Sequence, residues 1–401
     1  MQNQRSFFLI SQVFYPDEVS TANLFTKLCA KIAEDDNYLV NVWCAQPSYN
    51  CLIRQPRNVK YKNIQIKYLA STNFKKGIFF GRLINYITFA ISVIFNLVLS
   101  KDKSAVFTHT TPPSLGIIIA LLCKIKNRRF NYILLDIFPE GLIRLGKIQR
   151  NNLIVKLWEK FNQRAFKNSN KIIVIGRDME SWLFSKYKSI ELNVHYLPIW
   201  QDENLIRPAD FETNPFVIKN NLQCSFVVQY SGNMGLWNDM KTLGKAVNMC
   251  KEDVVFIFIG GGMRKKELIN AISVNTMKNV LLFDFISNEE YSYSVTACHI
   301  ALVSLSKGLE GMAVPSKITG IMAAGVPVVA AVPEESEIAY IVNEENCGIV
   351  VQPDDANAIL NAIIKLKSDV AMRKEMSRNA RCAFEKKFTT TTAAEFFKDF
   401  D

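Results

Sequence analysis

Short apolar, β-rich runs recur along the chain at Phe7–Ile10, Leu39–Trp43, Ile64–Leu69, Ala105–Thr108, Phe130–Leu135, Lys171–Ile175 and Val194–Leu197. Between most of them the apolar positions return at helical spacing, as in Ala22–Ala33 and Leu153–Phe166. A second series follows at Ser225–Tyr230, Val254–Ile259, Val280–Phe283, Ile300–Val303, Val326–Ala331 and Gly348–Val351. Strands alternating with helices predict parallel sheets covered on both faces. The polar stretch Gln201–Cys224, with Pro208 and Pro215, falls between the series and reads as a linker. The pattern predicts an α/β chain of two Rossmann-like domains, over 1–200 and 225–385, joined by 201–224. A C-terminal helix over 386–401 is expected to pack back on the N-terminal domain. In such sheets ligands bind beyond the carboxyl ends of the strands. Two domains with those ends face to face would make a cleft.

Length supports the division, since 401 residues is long for one domain. The nine cysteines are odd in number and form no C-x-x-C, and none of the three histidines is paired at ligand spacing. A disulfide framework and a zinc site are therefore not indicated, and a reducing compartment is. The stretch "RSFFLIS" is too short for a signal peptide and reads as a first buried strand. Charge adds an asymmetry. Residues 1–200 carry 28 Lys and Arg against 12 Asp and Glu, a net of +16, whereas 201–401 carry 20 against 25, a net of −5. A basic half suits nucleic acid, an anionic membrane surface or a phosphorylated ligand.

Candidate chemistry concentrates in "GLEGMAVPSKITGIMAAGVPVV", Gly308–Val329. Pro315, Ser316 and Lys317 are expected to open a helix that Ser316 caps, that runs to about Ala324 and that Gly325 ends. A lysine in the first turn opposes the helix dipole unless an anion lies between it and the helix end. Glu310, on the preceding loop, is better suited to accept hydrogen bonds from hydroxyls. Acid for hydroxyls with base and helix end for phosphates describes a nucleotide-sugar site. The alternative is an ordinary loop–helix join with a surface ion pair. Two glycine-rich loops follow strands of the same series, "YSGNMGLW" (Tyr230–Trp237) and "FIGGGMRKKEL" (Phe258–Leu268). Neither is G-x-G-x-x-G, and no Walker A motif occurs, so NAD and ATP sites are not indicated.

The order "YSGNMG", "FIGGG", "EGMAVPSKITGIMAAGVPVV", "CGIVVQPDD" resembles glycosyltransferase family 4, the retaining enzymes of GT-B fold. In the first half, "FYPDE", "THTTPPSLG", "DIFPEG" and "LPIWQDE" are similar to the subgroup that builds O-antigen, capsule and colanic-acid-like polysaccharides. That subgroup includes fucosamine and N-acetylhexosamine transferases. The resemblance implies two parallel-sheet domains facing across a cleft and a nucleotide-sugar donor, such as a UDP-sugar, bound by the second. It places Gly232, Asn233, Gly235, Gly261, Gly311, Met312 and Ser316 around the donor, with Glu310 on the donor sugar hydroxyls. No covalent nucleophile is assigned. The second glutamate that usually holds the ribose in that family would fall near Gly320 and is missing, so Glu337 is the candidate replacement. The family's arginine–lysine pair is blurred here, with Asn233 and Leu236 near the arginine position, and Lys317 is expected to take over the diphosphate. No D-x-D triplet stands at the end of a predicted strand. No metal and no cofactor are therefore expected, and Lys317 with the Ser316 helix end would stabilise the leaving group.

His109 stands near the place of the family's active-site histidine. Its other reading is a strand-end histidine bonding a loop. Asp136 and Glu140 are expected to orient the acceptor hydroxyl, unless Asp136 caps the turn before Pro139. The apolar run Leu83–Leu99, flanked by Lys75, Lys76, Arg82, Lys101 and Lys103, is expected as an amphipathic helix lying in a membrane face. A core helix is the alternative, and its place between two strands argues against spanning. With the basic tracts Arg54–Lys67 and Lys124–Arg129 it points to a polyprenyl-pyrophosphate-linked saccharide acceptor. The protein would then be cytoplasmic and held peripherally at the inner face of the plasma membrane. The expected reaction moves an N-acetylated amino or deoxy sugar in O-antigen or capsule synthesis. A UDP-N-acetylglucosamine 2-epimerase of the same fold is the rival enzyme. Nucleic-acid binding is disfavoured, because aromatic residues do not interleave with the basic tracts.

Overall fold

The computed structural model describes residues 5–49, 52–74 and 79–400. The chain divides into two compact units, one of Met1–Ile175, Met179–Pro198 and Thr390–Asp401, the other of Gly176–Asp178 and Ile199–Thr389.

The first unit holds β1 (Arg5–Ser11), β2 (Tyr38–Cys44), β3 (Asn58–Tyr61), β4 (Ile64–Tyr68), β5 (Val106–His109), β6 (Phe130–Leu134), β7 (Lys171–Val174) and β8 (Val194–Tyr196). They form one sheet in the order β3-β4-β2-β1-β5-β6-β7-β8. Every pair is parallel except β3–β4. The central strands are buried on both faces, which is why they read as unbroken apolar runs. The hairpin strand β3 was not expected. It turns into β4 through Lys62 and Asn63, both with φ above zero, as a tight two-residue hairpin requires. Its polar, charged sequence suits an exposed edge, which resists unwanted pairing. Helix Thr390–Lys398 belongs to this unit. Phe397 packs edge-on against Phe7 and Phe107, the Tyr38 hydroxyl donates to the Lys398 carbonyl at 2.8 Å, and Lys398 pairs with Asp35.

The second unit holds β9 (Val227–Ser231), β10 (Val255–Ile259), β11 (Val280–Phe283), β12 (Ile300–Ser304), β13 (Val328–Ala331) and β14 (Gly348–Val351). The sheet runs β11-β10-β9-β12-β13-β14, all parallel. Its core is built on Val228, Tyr230, Phe256, Phe258 and Leu302. The crossover direction reverses between β9 and β12, and the crevice at such a reversal is where open α/β sheets take ligands.

The stretch 201–224 is not a linker. It lies in the second unit, where Pro215 opens helix Pro215–Lys219 and Phe216 and Val217 are buried. Asn214, 1% exposed, accepts from the Phe216 amide and donates to the Tyr293 carbonyl and the Thr296 hydroxyl. A polar stretch with prolines is also what a capped helix start looks like.

Candidate functional site

The loops after β9 and β12 flank the reversal point of the second sheet. Helix Lys317–Ala323 follows the second of them. The Lys317 ammonium lies 3.4 Å from the centroid of the Tyr230 ring, against the backbone of Gly232. A Cβ on Gly232 would sit 3.7 Å from Lys317 Nζ. Nζ is sealed from solvent and has no hydrogen-bond partner among the described residues. Burial holds its pKa well below the ordinary lysine value, because the charged form has lost its water. Tyr230 supplies only the negative face of its ring. A buried ammonium without a counter-ion is costly, and an incoming anion would relieve that cost.

Ser316 does not cap the helix. Its backbone is already helical, at φ −61° and ψ −18°, and its side chain makes no capping bond. The helix ends as expected, with Gly325 at φ +65° donating its amide to the Met322 carbonyl. The two glycine loops are stitched together. Gly232 N donates to Ile259 O at 2.9 Å and Met234 N to Gly261 O at 2.8 Å. A Cβ on Gly260 would meet Gly232 O at 2.3 Å, and one on Gly262 would meet Met234 O at 2.4 Å. Those two glycines therefore serve loop-on-loop packing. Gly235 is crowded by the Asn233 side chain, whereas Gly261 meets only the Phe285 ring, at 3.4 Å.

Glu310 is half-buried between the anchors Leu309 and Met312, 2% and 0% exposed. The loop is held by Asp178, a residue the sequence did not single out. Asp178 Oδ2 accepts from Gly311 N at 2.8 Å and from Glu337 N at 3.1 Å. It thereby ties the Glu310–Gly311 peptide to the start of helix Glu337–Glu344. Glu337 is engaged elsewhere than the reading of it as a ribose ligand requires. It is 1% exposed and accepts from Arg177 N, Nε and Nη2 at 2.7, 3.1 and 3.1 Å. Both its oxygens are taken by one guanidinium, a strong fork-shaped pair. A Cβ on Gly320 would meet the Tyr291 hydroxyl at 2.5 Å, so a side chain there requires the Tyr291 ring to shift.

In the first unit His109 is fully buried at the end of β5. Thr111 N donates to Nδ1 at 3.2 Å, so Nε2 carries the proton toward Ser11 Oγ at 2.7 Å, and Ser11 donates onward to Val13 O. The ring stacks on Phe25 at 4.5 Å, and burial pushes its pKa down to about 3. His109 is thus a neutral tie between two strand ends, the second of its two sequence readings in geometry. Glu140 is 5% exposed and is held by Arg150, Arg144 and Lys186. Asp136 behaves differently. Its carboxyl has no ion-pair or hydrogen-bond partner among the described residues. It lines a cavity with Thr110, Asn162, Trp182 and Tyr187. Burial pushes its pKa up to about 6.

The missed residues, Tyr230, Asp178 and Arg177, act through partners distant in sequence. Only Tyr230, opening a quoted glycine loop, left a local signal. No group of three or more His, Cys, Asp or Glu side chains among the described residues has the spacing to hold a metal ion.

Residues 214–382 match the family described as glycosyl transferases group 1. Glycosyltransferase WbjE of Pseudomonas aeruginosa is 27% identical over 269 residues, which cover 66% of this chain and 66%, just under two thirds, of that protein's own length. The colanic acid biosynthesis glycosyl transferase WcaI of Escherichia coli is 21% identical over 294 residues, 70% of this chain and 71% of that one. The structure of HepE from Anabaena in complex with UDP superposes with a TM-score of 0.69 at 16% identity, covering 99% of both chains. The fold is GT-B, two parallel-sheet α/β units.

Proposed function

We propose, from the match of residues 214–382 to the group 1 glycosyl transferases, that the protein transfers a sugar from a nucleotide-sugar donor to a saccharide acceptor in bacterial surface polysaccharide synthesis. The observation that carries this is the Lys317 side-chain nitrogen, buried at the reversal point of the second sheet with no hydrogen-bond partner among the described residues. The proposal assigns a nucleotide diphosphate as its anionic partner. In the proposed reaction Lys317 neutralises the departing diphosphate, the largest charge to develop in the transition state. Glu310 accepts hydrogen bonds from the donor sugar hydroxyls, and transfer retains the anomeric configuration. For the acceptor the proposal assigns Asp136, whose raised pKa suits a base that takes the proton of an attacking hydroxyl near neutral pH. UDP is the favoured nucleotide, supported by the UDP complex of the fold neighbour. A surface polysaccharide product, with a lipid-pyrophosphate-linked acceptor, is supported by the name of the WcaI relative and by the basic first half.

The test is a thermal-shift panel of UDP-, GDP- and dTDP-sugars. A true donor at 100 times its Kd stabilises the fold by about 2.7 kcal/mol through mass action. No shift with any of them would overturn the reading. The reaction is proposed to need no metal, so turnover in EDTA should match turnover in magnesium.

A further inference from the structure

Helix Phe79–Leu99 is apolar on all sides but packed on only one. Phe89, Val93 and Leu97 are 0%, 0% and 2% exposed and face the core of the first unit. From Leu83 to Leu99 every exposed residue is a large apolar one: Leu83, Ile84, Ile87, Ile91, Ile94, Phe95, Val98 and Leu99. The two asparagines that interrupt the run are satisfied inside. Asn85 is 1% exposed and bonded to both backbone groups of Phe74, and Asn96 accepts from Lys67 at 2.8 Å. A helix hydrophobic all round belongs in a protein core or in lipid. Soluble monomers rarely expose a contiguous apolar patch above a few hundred Å².

The face does not stop at this helix. Helix Leu115–Ile125 packs beside it and exposes Leu121 and Ile125 at 57% and 71%. Helix Leu153–Asn168 packs beside that one and exposes Leu153, Ile154, Leu157 and Phe161. On the latter helix an exposed row of cations, Lys156, Lys160, Arg164 and Lys167, runs alongside the apolar stripe. Lys101, Lys103, Lys124 and Arg129 are exposed near the ends of the other two. No Asp or Glu occurs from 37 to 101. Lys75 and Lys76, counted as flanking charges from sequence, lie outside the described residues.

We infer that these three helices form one docking face for an anionic lipid surface, the apolar stripe entering the headgroup–acyl boundary and the cations meeting lipid phosphates. Apolar stripe beside basic row is the pattern of an interfacial helix, and the exposed Lys156, Lys160, Arg164 and Lys167, with Glu159 on the same helix paired to Lys186, make the complement anionic. A second copy of this chain would bring the same cations against each other. Spanning is excluded by topology, because the helix is the crossover from β4 to β5 of one sheet and its inner face is core. The inference extends the sequence expectation from one helix to three, and it stands independently of the donor reading.

The test uses the full chain with vesicles of phosphatidylcholine alone or mixed with phosphatidylglycerol. Sedimentation should show binding at least about tenfold stronger to the mixed vesicles. That binding should fall toward the neutral level at about 1 M salt, where the Debye length is about 3 Å. Ile91→Glu with Phe95→Glu changes side chains 61% and 64% exposed, so the variant should keep its circular dichroism and lose vesicle binding. Lys156→Glu, Lys160→Glu and Arg164→Glu together should weaken binding about a hundredfold. Lys278→Glu with Lys374→Glu, exposed in the second unit, should not. Absent binding, equal binding to both vesicle types, or a control variant that loses as much overturns the proposal. So does a dimer by light scattering that the Ile91→Glu/Phe95→Glu variant dissolves. Thermal shift with nucleotide-sugars on the same variants reads the donor site separately.

Discussion

Replacing Lys317 by methionine should make the unliganded protein more stable and the nucleotide complex weaker. The side chain is one heavy atom shorter and loses its ionisable group. Removing a buried amine that has no hydrogen-bond partner among the described residues recovers a desolvation cost of several kcal/mol, on the order of 2–7, against which the contact with Tyr230, 3.4 Å to the ring centroid, returns about 2 kcal/mol. The net gain is on the order of 1 kcal/mol, which raises Tm by about 2–4 °C in a unit of this size. In the complex the variant forfeits a charge-assisted phosphate contact worth about 1.5–3 kcal/mol, so Kd for UDP rises about 10- to 150-fold. The pH dependence has a definite sign. The folded pKa of Lys317 lies below its unfolded value. Between the two the folded state binds fewer protons than the unfolded one, and the free protein gains stability as pH rises through that window. A bound diphosphate raises the pKa again, so binding takes up a proton and strengthens as pH falls through the same window. Calorimetry in buffers of different ionisation enthalpy reads that proton, and the methionine variant should lack it. A lower Tm without ligand, together with unchanged UDP affinity, would mean that Lys317 is only a structural group.

Glu310→Gln should reduce turnover by about 10²-fold or more, the scale of losing one transition-state electrostatic contact, while donor-induced thermal shifts persist; near-normal turnover would remove Glu310 from the site. The Asp136 carboxyl, pushed up to about 6, should give kcat/KM an acidic limb near pH 6, with activity lost as pH falls and the base protonates. Asp136→Asn should lower the rate and abolish that limb. Asp178→Ala orphans the amides of Gly311 and Glu337 and should cost about 1–3 kcal/mol for each one left buried and unmade. Asp178→Asn, whose amide oxygen still accepts, should recover most of that stability, and a chemical denaturation series distinguishes the two.

The strands of both sheets were legible because a parallel strand covered on both faces must be an unbroken apolar run, as Phe256–Ile259 and Phe7–Ile10 are. The β3 strand was not, because a solvated edge such as Asn58–Tyr61 carries the same polar residues as a loop. Pro215 and its polar neighbours read as a linker for a similar reason: a helix start and a linker share a composition, and only the burial of Phe216 and Val217 separates them. In the candidate site Lys317 and Glu310 stood out because they are charges in an otherwise small and apolar stretch. The partners of His109, Glu140 and Glu337 were not legible, because a titratable residue does not announce its partner. His109 finds Ser11 at a sequence distance of 98, and Glu337 finds Arg177 at 160. Such pairings arise only when crossovers bring strand ends together.

The contact between Gly320 and Tyr291 carries a consequence for anyone who would rebuild this domain. A glutamate introduced at position 320 must displace the Tyr291 ring, because its hydroxyl stands 2.5 Å from where the new Cβ would be. Nor can Tyr291 be trimmed freely, since a void would open beside the helix that presents Lys317. The two positions are epistatic: each change alone should damage the protein, and the pair together should do less harm than their sum. A library that varies position 320 on the present background would report it as intolerant. The same library built on Tyr291→Ala would reveal which larger residues the domain accepts there.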